Sequence, residues 1–146
     1  MENLAPSFAA MEVKPISNSP SRTRVMCIDD SADMTEMLVT LIRNETSLEN
    51  VGTLDSADGV VDEVRRSGAQ VLVIDLTMPG VPPLEAIRDV RREVPSCQVI
   101  AFSGYDDLAT QQAAMSAGAV ELVSKSGEPG DVIAAIHRVV GRKPTL

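Results

Sequence analysis

Val71-Leu72-Val73-Ile74-Asp75-Leu76-Thr77-Met78-Pro79-Gly80 is the stretch that decides the fold of this 146-residue chain. Its four consecutive branched apolar residues read as a strand buried on both faces, because a strand with one wet face alternates apolar and polar positions. The run ends on a lone aspartate, and Pro79-Gly80 then turn the backbone. A carboxylate at the end of a buried strand is costly unless something compensates it. Taken alone, Asp75 is a polar strand terminus, a helix cap, or a group held there for its charge. The other strand ends bear on that choice.

Upstream, Val25-Met26-Cys27-Ile28 is a short apolar strand ending on Asp29-Asp30. Ser31 or Asp33 can cap a helix whose stripe is Met34, Met37, Leu38, Leu41 and Ile42, the spacing of an amphipathic helix lying on a sheet. Residues 51–54 form a weaker strand. Val60, Val61 and Val64 mark a second helix that stops before Gly68, with Asp55 and Asp58 placed as its caps. Downstream, Pro82-Pro83 suit a helix start, and Leu84, Ile87, Val90 and Val94 face inward until Pro95. Val99-Ile100-Ala101-Phe102 is a fourth strand ending on Ser103-Gly104. A helix over about 106–117 offers mainly Leu108, Met115 and alanines, and is expected to be the least firmly anchored. Residues 120–123 form a fifth strand leading to Lys125. The last helix is expected to bury Val132, Ile133, Ile136, Val139 and Val140 before Gly141.

Strands alternating with helices in this way mean an α/β domain with a parallel sheet covered on both faces. The first, third and fourth strands are unbroken apolar runs and belong in the centre. The second and fifth are mixed, with Glu121 inside the fifth, as edge strands can be. The order is therefore the flavodoxin-like, doubly wound 2-1-3-4-5. Residues 1–21, with Pro6, Pro15 and Pro20 among serines and small residues, are expected to form a mobile leader. The domain is expected to span 22–141, with a short tail over 142–146.

Composition narrows the function. A hydrophobic content of 44% supports a real core for one domain. No apolar run approaches the roughly 20 residues of a bilayer span, and Met1-Glu2 opens nothing like a signal peptide, so a cytoplasmic protein is expected. Cys27 and Cys97 fall at strands and read as buried free thiols. A net charge of −8 argues against nucleic-acid binding, which needs clustered Lys and Arg. The one basic cluster, Arg88, Arg91 and Arg92, is interleaved with Asp89 and Glu93 and reads as a solvated helix face. With no Trp, one Tyr and two Phe there is no platform for stacking on bases.

In a parallel sheet all strand carboxyl ends share one edge, where ligands bind. That edge should collect Asp29, Asp30, Asp75, Ser103 and Lys125. Three crowded carboxylates repel, and a hard cation such as magnesium is the natural compensation. Asp75, on a central strand, is placed as a nucleophile toward phosphorus. Lys125 and the Ser103 hydroxyl are suited to hold the oxygens of a transferred phosphoryl group.

With that ordered set in view, the chain from about residue 24 to 141 resembles the receiver domain of bacterial two-component response regulators. The resemblance implies magnesium-dependent transfer of a phosphoryl group from a sensor kinase histidine, or a phosphotransfer protein, to Asp75. It implies Asp29 and Asp30 as metal-binding acids beside Asp75, and Ser103 and Lys125 as the hydroxyl and lysine of the switch. Thr77 and Tyr105 match two flanking positions that tune the lifetime of the phosphoaspartate. The implied role is a signalling phosphoacceptor that catalyses at most its own phosphorylation and dephosphorylation. Its output would pass through a protein-binding surface over residues 106–140, by self-association or to a separate partner. Two departures stand out. Ser126 follows the lysine where the family often has proline, which bears on a cis peptide there, and Leu122 stands where an aromatic switch residue is usual.

Two other readings have their own marks. Phosphatases of the haloacid dehalogenase type also use a strand-end Asp, a Ser or Thr and a Lys. They carry a general-acid Asp two residues past the nucleophile and an acidic cluster after the lysine. Here Thr77 holds the first position, and only Glu128 and Asp131 follow Lys125 closely. A binding module that keeps the fold without phosphorylation is opposed by the complete set of Asp29, Asp30, Asp75, Ser103 and Lys125. His137, alone at a polar position of the last helix, reads as a solvated side chain.

Overall fold

A computed structural model describes residues 21–141. The expected leader, apart from Ser21, and the tail over 142–146 lie outside them. The elements in chain order are β1 (Thr23–Ile28), α1 (Ala32–Arg43), β2 (Leu48–Leu54), α2 (Val60–Ser67), β3 (Val71–Asp75), α3 (Pro83–Glu93), β4 (Gln98–Ser103), α4 (Leu108–Ala117), β5 (Glu121–Ser124) and α5 (Asp131–Val140). The five strands form one parallel sheet in the order β2-β1-β3-β4-β5, as the apolar runs required. Every residue of β3 is buried. Among the described residues no helix is long and apolar enough to cross a membrane.

Alternation along the strands splits the core into two layers. On one face Met26, Ile28, Leu72, Ile74, Val99 and Ala101 pack against α2, α3 and α4. On the other, Val25, Cys27, Val71, Val73, Ile100 and Phe102 pack against α1 and α5. The two cysteines are free and buried, one near the end of β1 and the other just before β4. Burial alone lifts the Cys97 thiol to about 12, against a small opposing pull from Arg91. Cys27 also reaches about 12, through burial and the nearby Asp29 charge.

Several local expectations change. Helix α1 is capped by Ser31, whose hydroxyl accepts from the Met34 amide at 3.3 Å, and not by Asp33. Helix α2 has Gly59 at its N-cap with no side-chain cap, so neither Asp55 nor Asp58 serves there. Leu108 and Met115 point outward from α4, which buries only Ala114 and Ala117. Val140 is likewise exposed, while Ala135 takes an inward place on α5 with Val132, Ile136 and Val139. Each large aliphatic side chain fully buried contributes about 1.5–3 kcal/mol, so α5 is held firmly and α4 is not. Arg91 is no solvated bystander: its guanidinium donates to the carbonyls of Pro95 and Cys97 at 3.0 and 2.9 Å. His137 has a partner too, Glu45 Oε1 at 3.0 Å, which ties α5 to the end of α1.

Candidate functional site

Strand register brings the site residues together. Ile28 lies opposite Ile74, so the next residues, Asp29 and Asp75, emerge side by side. Asp75 pairs with Phe102, and Ser103 with Ser124, so Ser103 and Lys125 each follow one step further along the same edge. Alternation then sorts the side chains. Asp29, Asp75 and Lys125 continue the series Cys27, Val73 and Val123 on the α1/α5 face, while Ser103 continues the series of Val99 and Ala101 on the other.

One carboxylate oxygen from each of Asp29, Asp30 and Asp75 lies within 4.8 Å of the other two. Asp29 and Asp75 are each only 1% exposed, whereas Asp30 is exposed and closes the cluster from the solvent side. Asp29 Oδ1 accepts from the Ser31 amide at 2.9 Å. Its Oδ2 is buried without an aligned hydrogen-bond donor, and its charge is met by Lys125 Nζ at 2.8 Å, an off-angle ion pair. Lys125 Nζ also reaches Asp75 Oδ1 at 3.2 Å, and the same ammonium lies over the Phe102 ring, 5.3 Å from the centroid. That same Oδ1 accepts from the Thr77 amide at 3.0 Å, so both protein contacts of the Asp75 carboxylate fall on one oxygen.

Burial dominates the electrostatics of Asp75, raising its pKa with help from the Asp29 charge, against the pull of the Thr77 amide and Lys125. Burial alone would lower Lys125, but its bonds to Asp29 and the charges of both aspartates prevail and raise it. The lysine is thus held charged between two acids, one of which resists ionisation.

Ser103, Thr77 and Tyr105 lie beside this cluster, and the Thr77 amide is bonded to it through Asp75 Oδ1. With Leu76, Leu84, Ala109, Thr110 and Ala113 they line a groove of about 310 Å³ between α3 and α4. The Ser103 hydroxyl is buried and accepts from the Tyr105 amide at 3.0 Å. The Tyr105 ring is exposed. Leu122 is half-buried against the α2/α3/α4 layer. All peptide bonds among the described residues are trans, the one before Ser126 included.

On the other flank, Asp29, Asp30, Ala32, Thr35, Thr53, Leu54 and Asp55 line a hollow of about 410 Å³. Asp55, expected as a cap, therefore sits on the rim of the acidic cluster. Its signal in the sequence is its place at a strand end, the same mark that Asp29 and Asp75 carry. Phe102, which lies under the Lys125 ammonium, reads only as core from sequence, as any strand phenylalanine does.

Residues 25–137 match the response regulator receiver domain. The chain belongs to that family. Among its relatives, the chemotaxis protein CheY of Thermotoga maritima is 27% identical over 116 residues, covering 80% of this chain and 96% of that protein. The transcriptional activator protein ExaE of Pseudomonas putida is 29% identical over 85 residues, covering 58% of this chain and 40% of ExaE. A LuxR-family two-component response regulator of Aurantimonas superposes with a TM-score of 0.78 at 28% identity, over 84% of this chain and 89% of that one. The chain thus spans nearly all of CheY but only 30% to 53% of several longer relatives. As a receiver domain it is the phosphoacceptor module of two-component signalling, and its acidic cluster is of the kind receivers use with magnesium.

Proposed function

We propose that Asp75 accepts the phosphoryl group, with Asp29 and Asp30 as metal-binding acids and Lys125 and Ser103 as the groups that hold the phosphoryl oxygens. The observation that carries this reading is the Lys125 ammonium lying between Asp29 and Asp75 beside a cluster of three carboxylates. The donor is the phosphohistidine of a sensor kinase or phosphotransfer protein in the cytoplasm. An Asp75 oxygen forms a bond to phosphorus as the bond from phosphorus to the imidazole nitrogen breaks, and the imidazole leaves with that electron pair. Because Oδ1 is already engaged by the Thr77 amide and Lys125, Oδ2 is the oxygen available for attack.

The donor set fits magnesium: three hard carboxylates are gathered at the sheet edge, and the buried Asp29 Oδ2 lacks an aligned donor. When bound, the ion supplies positive charge to the carboxylates and phosphoryl oxygens. Lys125 does the same from the protein side. The Ser103 hydroxyl would exchange its bond from the Tyr105 amide for one to a phosphoryl oxygen.

Incubation with magnesium and a small phosphodonor, followed by peptide mass spectrometry, tests the reading. The adduct should map to Asp75 and be absent from Asp75→Asn; equal labelling of that variant ends the proposal. Asp30→Asn should weaken magnesium binding about tenfold, by removing one anionic ligand, as read from backbone amide shifts near Asp75.

A further inference from the structure

We propose that Ser124 and Ser126 are positioning residues for Lys125, holding its backbone so that the ammonium reaches Asp29 and Asp75 together. The inference rests on the phosphoacceptor reading above. It begins from a weakness: β5 has four residues, lies at the sheet edge and fully buries only Val123. Such a strand is a poor anchor for a long, flexible side chain whose tip must meet two carboxylates at 2.8 and 3.2 Å.

The backbone of Lys125 is fixed from both sides. Before it, the Lys125 amide donates to the Ser103 carbonyl at 2.7 Å. After it, the Ser126 amide donates to Ser124 Oγ at 3.2 Å, closing a turn centred on Lys125 in which a serine oxygen imitates a backbone carbonyl. The two hydroxyls then meet at 2.7 Å. The Gly127 amide returns to the Ser124 carbonyl at 3.3 Å. The loop beyond is seated against α5: a Cβ on Gly127 would come within 2.4 Å of Asp131 Oδ2, which accepts from the Glu128 amide at 3.0 Å. A proline at 126 could not make the turn bond, having no amide hydrogen. The serine-lysine-serine sequence therefore supplies by hydrogen bonding a stiffness that a ring would supply covalently.

The hydroxyls are not equivalent. Ser124 Oγ takes part in both side-chain contacts, whereas Ser126 Oγ acts only through Ser124. Loss of the Ser124 hydroxyl should therefore matter more, and the double variant should behave like Ser124→Ala alone. A displacement of about 1 Å at a reacting group can cost on the order of a hundredfold in rate. With the Lys125 amide still tied to Ser103, a partial loss of about tenfold is expected for Ser124→Ala.

The full chain and its Ser124→Ala, Ser126→Ala and Ser124→Thr variants are compared in three measurements. These are the phosphorylation rate with acetyl phosphate, magnesium affinity, and the 15N signals of the Lys125 amide and ammonium. The expected result is a slower rate in Ser124→Ala and a smaller loss in Ser126→Ala. Ser124→Thr, which keeps the hydroxyl, should recover the rate. Lys125 signals should shift in step while magnesium affinity stays within about twofold, since the carboxylates are untouched. Parental rates with unmoved Lys125 signals overturn the proposal. So does a fall in magnesium affinity and thermal midpoint that parallels the rate, which would make the serines mere supports of the strand. Should Ser124→Ala fail to fold, the exposed Ser126 gives the deciding variant. If the parent takes no phosphoryl group, the phosphoacceptor reading has failed, and the Lys125 signals of the metal-free variants still decide the role of the serines.

Discussion

Burial makes ionisation of Asp75 costly, and the Thr77 amide and Lys125 offset only part of that cost. The folded pKa of Asp75 is raised, chiefly by burial, so its contribution to stability is full below the unfolded value near 3.9 and is lost as pH rises through the folded one. At neutral pH the carboxylate is therefore a net cost, although Lys125 meets it. Asp75→Asn removes that cost and leaves Lys125 with Asp29 as partner. It should raise stability at pH 7 by about 1 kcal/mol, or roughly 4 °C in melting temperature. The gain should shrink on acidification and vanish below about pH 4, where Asp75 is protonated in either state. Thermal melts of both proteins across pH 3–8 check this; a loss of stability in the variant at pH 7 would show the ion pair outweighing burial. The two thiols obey the same rule at the alkaline end. Both are raised to about 12, so their contribution is full below the unfolded value of roughly 8.5 and fades as pH climbs toward the folded ones. A thiol reagent should accordingly label neither in the native protein at pH 8 and both after denaturation.

Helix α4 shows how an element can be well formed and loosely seated. Asp107 caps it firmly, accepting from the Thr110 amide and hydroxyl at 3.3 and 2.7 Å, yet its core face is alanine alone. Leu108→Ala and Met115→Ala, on its outer side, should each change stability by less than about 0.5 kcal/mol. Hydrogen exchange should be faster in α4 than in α5, because fewer buried apolar groups oppose its opening. What fixes its far end is Gly118, at φ 124°, where a Cβ would sit 2.4 Å from Arg91 Cγ. Gly118→Ala combines that clash with a backbone conformation that L residues avoid, and should cost about 2–3 kcal/mol in denaturant unfolding. An unchanged midpoint would mean that α3 and α4 are free to part.

Signalling requires that chemistry in one layer reach the other. Asp29, Asp75 and Lys125 lie on the α1/α5 side of the sheet end, while Ser103 and its groove lie on the α3/α4 side. A phosphoryl group on Asp75 adds up to about two negative charges and three acceptor oxygens, and the Ser103 hydroxyl is bonded to the Tyr105 amide in the loop that leads to α4. Amide shifts with a beryllium fluoride phosphate mimic should therefore spread over residues 103–118 and to Leu122, altering the surface over 106–140. Ser103→Ala should bind the mimic with a smaller response there. Changes confined to the loops after Asp30 and Asp75 would refute this route. The strand order, the covered sheet and the acidic and basic strand ends were legible in the sequence, because apolar runs and their terminators are local and a parallel sheet aligns its carboxyl ends by construction. The sequence did not reveal that Leu108 and Val140 face solvent, that Asp55 rims the hollow, or that Arg91 and His137 hold partners. Nor could it show the Ser103 hydroxyl tied to the Tyr105 amide while Lys125 bridges two aspartates. Those facts depend on helix rotation and strand register across tens of residues, where packing of the whole core, and not any local pattern, selects the face each side chain presents.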